Sequence, residues 1–196
     1  MDWRRTGRAL LAVIAACLVS ASAWPLDLEG VALPERVRIE SRGPELVLNG
    51  AGVRHEAIFK VYVSALYLPA RNRDSGAILK KDEPRRLALY FLRDVKAAQF
   101  EQATHDALRE TLTDEERGPL ESRLDRLNDF LATMPDVRQG TEIAIDYSPK
   151  TGTVIRVDGK EQQRIAGADF NRALMRIWLG ERPRDPKLKN AMLGGL

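Results

Sequence analysis

This chain has almost nothing with which to hold a metal or run nucleophilic chemistry. Its 196 residues include one cysteine, Cys17, and two histidines, His55 and His105. Cys17 sits in an apolar N-terminal run, so the rest of the chain can form neither a disulfide nor a thiolate metal site. The histidines lie far apart and lack a spaced acidic partner, which leaves zinc sites and Ser-His-Asp triads unsupported. A phosphate-cradling loop is missing too. Gly50-Ala51-Gly52 lacks the third glycine of a dinucleotide fingerprint and runs into a strand. The acidic run Asp114-Glu115-Glu116 is explained by the helix N-terminus it decorates. Neither sign of charge dominates. The formal net charge is +3, and with residues 1–23 set aside 28 basic side chains face 27 acidic ones. Such a balance gives no global drive toward nucleic acid. No metal, cofactor or nucleic-acid partner is expected.

What is present first is an export signal. Arg4, Arg5 and Arg8 form a basic start, Ala9 to Val19 form a short apolar run, and Ala21 and Ala23 are spaced as the A-x-A of a signal-peptidase site. The run is too short for a hydrocarbon core roughly 30 Å thick. Residues 1–23 are therefore expected to be removed after Ala23, leaving residues 24–196 as one periplasmic or secreted domain. An alternative stays open. Ile14-Ala15-Ala16-Cys17 resembles a loose lipobox, and acylation of Cys17 would tie the same domain to a membrane face. Membrane association is expected only by that route.

Beyond residue 24 neither a repeat nor a low-complexity linker interrupts the chain. Trp24 to Pro34 reads as an extended lead-in, and Val37 to Glu40 and Leu46 to Leu48 as strands. Asn49-Gly50 reads as a hairpin turn. Ala57 to Leu68 reads as one long strand with both faces covered. Ala57, Phe59, Val61, Val63, Ala65 and Tyr67 share one side; Ile58, Lys60, Tyr62, Ser64, Leu66 and Leu68 share the other. After a strand at Arg86 to Leu92, Asp94 can cap a helix carrying Phe100, Thr104, Ala107, Leu108 and Leu112 on one side. Thr113 to Glu116 fits a capping box for a second helix with Leu120, Leu124, Leu127, Leu131 and Met134 as its stripe. Strands at Glu142 to Tyr147, Thr153 to Val157 and Gln162 to Ile165 follow. Helices at Asp169 to Leu179 and Pro186 to Leu193 close the chain. This order predicts an α+β fold, a mainly antiparallel sheet with helices laid against it.

One stretch carries a chemical proposal. A guanidinium near a buried strand is expensive unless an anion meets it. With no turn between them, Arg54 and Tyr62 have the same parity, and Ser64 follows on the same face. A guanidinium, a phenol and aliphatic walls make a pocket for an amphipathic ligand with an acidic head. The other reading of the same residues pairs Arg54 with a structural carboxylate and makes Tyr62 a core residue with a satisfied hydroxyl.

Gly50-Ala51-Gly52-Val53-Arg54 followed by Leu66-Tyr67-Leu68 resembles the chalcone isomerase-like superfamily. The closing segment, Phe170 through Ile177-Trp178-Leu179-Gly180 to Pro183, resembles its exported bacterial members. The resemblance spans roughly residues 30–195. It implies an open-faced β-sandwich, with a large curved sheet backed by helices and a cleft between them. In the fatty-acid-binding branch that cleft holds a fatty acid, with an arginine and a tyrosine at its carboxylate. In plant chalcone isomerases it cyclises a chalcone. Carried onto this chain, the resemblance places Arg54 at the shared arginine and Tyr62 at the fatty-acid binders' tyrosine. The isomerases' catalytic tyrosine meets Phe100, and their helical asparagine meets Ala107. Neither replacement can donate a proton, so the resemblance implies binding rather than isomerisation. The expected ligand-binding residues are Arg54, Tyr62, Ser64 and Phe100, with a fatty acid or similar amphipathic carboxylate as ligand and no catalytic residue. The rivals are a chalcone isomerase-type isomerase or lyase, and an envelope interaction module whose cleft is plugged by side chains such as Phe100 and Trp178.

Overall fold

The computed structural model describes residues 25–195. The export segment, its cleavage site at Ala23 and the Cys17 alternative lie outside these residues. Among the described residues no helix is long and apolar enough to cross a membrane.

A small hairpin, β1 (Leu26–Leu28) and β2 (Val31–Leu33), leads into seven strands. These are β3 (Arg36–Arg38), β4 (Glu45–Glu56), β5 (Phe59–Leu68), β6 (Arg85–Phe91), β7 (Glu142–Ser148), β8 (Gly152–Val157) and β9 (Lys160–Ile165). They pair antiparallel in chain order into one curled sheet. A short α1 (Ser75–Lys80) bridges β5 and β6. Between β6 and β7 run α2 (Ala97–Thr111), α3 (Asp114–Arg117), one 3-10 turn and α4 (Glu121–Thr133). α5 (Ala168–Leu179) and α6 (Pro186–Met192) close the chain. The α+β expectation holds.

Both faces of β5 are covered, for different reasons. Leu66 and Leu68 join Leu87, Leu89, Phe91, Ile143 and Ile145 under the helices, against Leu108, Leu127, Leu131, Phe170 and Leu174. Val63, Ala65 and Tyr67 lie on the sheet's other face, beside Leu46 and Leu48 of β4, where Leu33 of β2 packs with them. The lead-in thus folds back as a hairpin, because its apolar residues have this second face to cover.

Four local expectations are corrected. Asn49-Gly50 is not a turn, since β4 runs straight through it. The register passes from Leu48↔Tyr67 to Gly50↔Leu66, leaving Asn49 as the extra residue of a bulge. That bulge lets Leu46 and Leu48, then Ala51 and Val53, share the face away from the main helical core. The turn lies instead at Ala57-Ile58, where Ala57 has φ 52° and Glu56 pairs with Phe59. Asp94 does not cap α2. It bonds Arg138 and the Gln139 N–H, and Asp136 accepts the Ala97 N–H in its place. The second helix is broken by a 3-10 turn at Gly118–Leu120, where Pro119 has no N–H to give. Its capping box is present, with Thr113 and Glu116 bonded reciprocally.

Candidate functional site

The bulge decides what faces the helices. Beyond it Gly50, Gly52 and Arg54 project toward α6, two residues apart on one strand face. A Cβ on Gly50 would collide with the Ala191 carbonyl oxygen, and one on Gly52 would lie 2.7 Å from the Ala191 Cβ. The glycines are there so that α6 can lie against the sheet. Asn49 fastens it: its Nδ2 donates to the Met192 carbonyl at 2.8 Å and its Oδ1 accepts the Asn72 N–H at 2.7 Å.

Docking α6 brings its cap to the arginine. Asp185 accepts the Leu188 N–H at 2.9 Å through Oδ1, and Arg54 Nη1 donates to its Oδ2 at 3.3 Å. The pair is about four-fifths buried, with side chains 20% and 15% exposed. Burial pushes the Asp185 carboxyl up, but the Leu188 N–H and the Arg54 guanidinium outweigh it and hold the group below the usual range. Opposite Arg54 across the β4–β5 pair stands Tyr62. Its oxygen accepts the Trp178 Nε1–H at 3.1 Å. Burial pushes the phenol up, only partly opposed by Trp178 and Arg54, so the hydroxyl keeps its proton.

Between this polar pair and α2 lies a cleft of about 430 Å³. Tyr62, Phe91, Phe100, Ala107, Trp178 and Leu188 supply its apolar wall. Phe91 is the hub of that wall, tilted on Tyr62 at 5.6 Å between ring centres and edge-on to Phe100 at 5.8 Å. Arg93 and Arg184 stand at the rim with Arg54. Arg184 is committed to Glu110, with bonds of 2.9 and 2.7 Å. The Arg93 guanidinium lies over the Phe59 ring, 4.6 Å from its centre.

A model of the chalcone isomerase-like family matches residues 25–194. The chain belongs to that family. By structure it is similar to a fatty-acid binding protein of Arabidopsis thaliana, with a TM-score of 0.62 and 12% identity. The match covers 84% of this chain and 92% of the plant protein. At that identity the likeness shows the fold alone. No curated protein matches the chain by sequence.

In this chalcone isomerase-like chain Arg54, Tyr62 and Phe100 come together at one cleft, and Ala107 lines it too. Ser64 does not. Its side chain is fully buried beneath α6, where the hydroxyl donates to Met192 Sδ at 3.1 Å, so it is a packing residue. Both readings of Arg54 meet here, since it has an internal acid and open space beside it. Phe100 and Trp178 line the cleft without filling it. Sequence reasoning missed Asp185, Arg93 and Arg184. Asp185 had a usable signal, an acidic N-cap directly before a proline at the first helical position. The other two had none, because the sheet and α6 bring them to the rim from distant positions.

Proposed function

We propose that this chain is an exported, non-catalytic member of its family that binds a fatty acid or similar amphipathic carboxylate in the sheet–helix cleft. The observation that carries this reading is an open, mostly aromatic and aliphatic cleft that the Arg54 guanidinium lines. Its volume falls in the range of about 300–1,000 Å³ usual for small-molecule sites. The family's structural neighbour being a fatty-acid binding protein supports the same reading. Arg54 has five N–H donors and gives one to Asp185, so donors remain for a ligand carboxylate. Tyr62 accepts from Trp178 and keeps its own proton to donate. Each methylene of the ligand's tail buried against Phe91, Phe100 and Leu188 contributes about 0.8 kcal/mol.

Phe100 and Ala107 supply no proton donor at the two α2 positions where the resemblance puts the isomerases' tyrosine and asparagine, which favours binding over isomerisation. The basic start, apolar run and A-x-A site of residues 1–23 support export.

Denaturing extraction of the purified protein followed by mass spectrometry, with palmitate titrated into the delipidated protein, tests the ligand. Saturable binding that weakens in Arg54→Gln and Tyr62→Phe is expected. Delipidated, folded protein that takes up no fatty acid, or takes it up equally well in both variants, refutes the proposal. Chalcone turnover lost in Arg54→Gln would select the isomerase reading instead. The mass of the N-terminus in exported protein distinguishes cleavage after Ala23 from acylation at Cys17.

A further inference from the structure

We propose that the tip of the β4–β5 hairpin docks the protein on a phospholipid bilayer, so that the cleft exchanges its ligand at the membrane surface; this rests on the cleft being a site for amphipathic ligands. Ile58 is 86% exposed and Phe59 52%, two of the three large apolar side chains exposed among the described residues. They are neighbours at one apex. Phe59 also lines the cleft mouth, so the apolar surface of the tip continues into the cavity wall.

Turn chemistry does not ask for these residues. Among the described residues three non-glycine positions have positive φ: Glu29, Ala57 and Asp158. Glu29 and Asp158 are each followed by a glycine that is also at positive φ, Gly30 and Gly159, the polar-then-glycine pattern that two-residue hairpins favour. At the β4–β5 turn the pair is Ala57-Ile58. An alanine held at φ 52° beside an isoleucine in water is a local arrangement that folding alone does not select.

The patch is also the wrong size for a protein partner. A stable protein interface buries about 1,200–2,000 Å². An aromatic side chain buries about 150–250 Å², so two residues reach only a fraction of that area. Two apolar side chains at an apex suit shallow insertion among headgroups and acyl chains. The charges around the tip fit the same occupant. Lys60 is neutralised by Glu29 at 2.7 Å, and Glu56 and Arg93, both lining the cleft, add one charge of each sign. Arg93 forms no salt bridge among the described residues, and its guanidinium sits on the Phe59 ring, at the level where lipid phosphates lie once that ring inserts. Binding driven mainly by apolar insertion, with phosphate contact from Arg93, follows.

The test compares the full chain with Ile58→Asp, which does not touch the cleft and, being at an exposed turn, leaves the thermal melt in place. Cosedimentation with phosphatidylcholine vesicles should fall by about tenfold or more in the variant. Uptake of an anthroyloxy-labelled stearate from those vesicles should accelerate with vesicle concentration for the parent chain and become independent of it for Ile58→Asp. Titration with the same probe free in solution should be equal for both chains. Equal cosedimentation and equal concentration dependence, with that titration intact, overturn the docking proposal and leave the cleft's ligand standing. No probe binding in the free titration removes the cleft's ligand itself, and the docking proposal with it.

Discussion

Asp185→Asn should make the protein bind fatty acid more tightly. The Asp185 carboxylate occupies Arg54 Nη1 at 3.3 Å, and a ligand carboxylate entering the cleft must share that guanidinium with it. Asparagine keeps the size of the side chain and caps a helix as well as aspartate does, so the Leu188 N–H still has its acceptor. Only the competing charge is removed. A hydrogen bond to a charged group contributes about 1.5–3 kcal/mol. The existing contact is single and long, which places the gain near the lower figure, an affinity increase of roughly tenfold. The same change should lower the thermal midpoint by about 2–4 °C for roughly 1 kcal/mol of lost pairing. The pH dependence has a definite sign. Asp185 is held below its ordinary range in the folded state, so its stabilisation is complete above the ordinary carboxylate range. It disappears as pH falls through the depressed folded value. Acid melts of the parent should therefore lose this increment, and those of Asp185→Asn should not. Isothermal titration with palmitate at neutral pH, run beside melts of both chains, measures all of it. Affinity that stays the same or falls in a folded Asp185→Asn protein would show that Asp185 does not compete with the ligand for Arg54.

Three further outcomes follow from the same geometry. Gly50→Ala should destabilise by about 1–3 kcal/mol, read in a urea titration, because its Cβ must displace the Ala191 backbone. Thr113→Ala removes one half of the capping box and should cost about 1 kcal/mol in the same measurement. It should leave palmitate affinity untouched, since Thr113 lies outside the cleft. Ala107→Phe puts a ring into the cleft from α2 and should reduce palmitate binding at least about tenfold while the circular dichroism spectrum stays native.

What the sequence made legible was periodicity. The alternation of β5, the stripes of α2 and α4 and the Thr113 capping box are local patterns, each set by a residue's immediate neighbours. Asn49-Gly50 misled because the pair that favours a hairpin turn is also the pair that fits a bulge beneath a helix. Which applies depends on α6, far along the chain. The reverse error hid the true turn, since Ala57-Ile58 carries none of the usual turn residues. The site was half legible for the same reason. Arg54 and Tyr62 do share a face, but because they are directly opposed across the hairpin; the parity that suggested it assumed a strand with no turn, and the turn at Ala57-Ile58 removes that premise. Asp185 and Trp178, which fix the charge of the one and the hydroxyl of the other, lie more than a hundred residues away.

The Gly50-Ala51-Gly52-Val53-Arg54 segment thus has a physical meaning separate from any ligand. Its glycines admit a helix, and its arginine answers the acid at that helix's first turn. A chain with this segment needs it to seat α6 on the face of its sheet whether or not the cleft is used. The segment therefore argues for the fold before it argues for binding. What would turn a structural ion pair into a receptor, on the proposed function, is the unused part of the guanidinium and the 430 Å³ beside it. Two variants separate these roles. Gly50→Ala acts on the docking of α6 and should lower stability and binding together, whereas Tyr62→Phe leaves α6 docked, loses only the Trp178 hydrogen bond, about 1 kcal/mol, and should lower binding by more than stability. If Tyr62→Phe lost as much stability as Gly50→Ala with no change in palmitate affinity, the whole constellation would be a structural clamp and the cleft a by-product of its curvature.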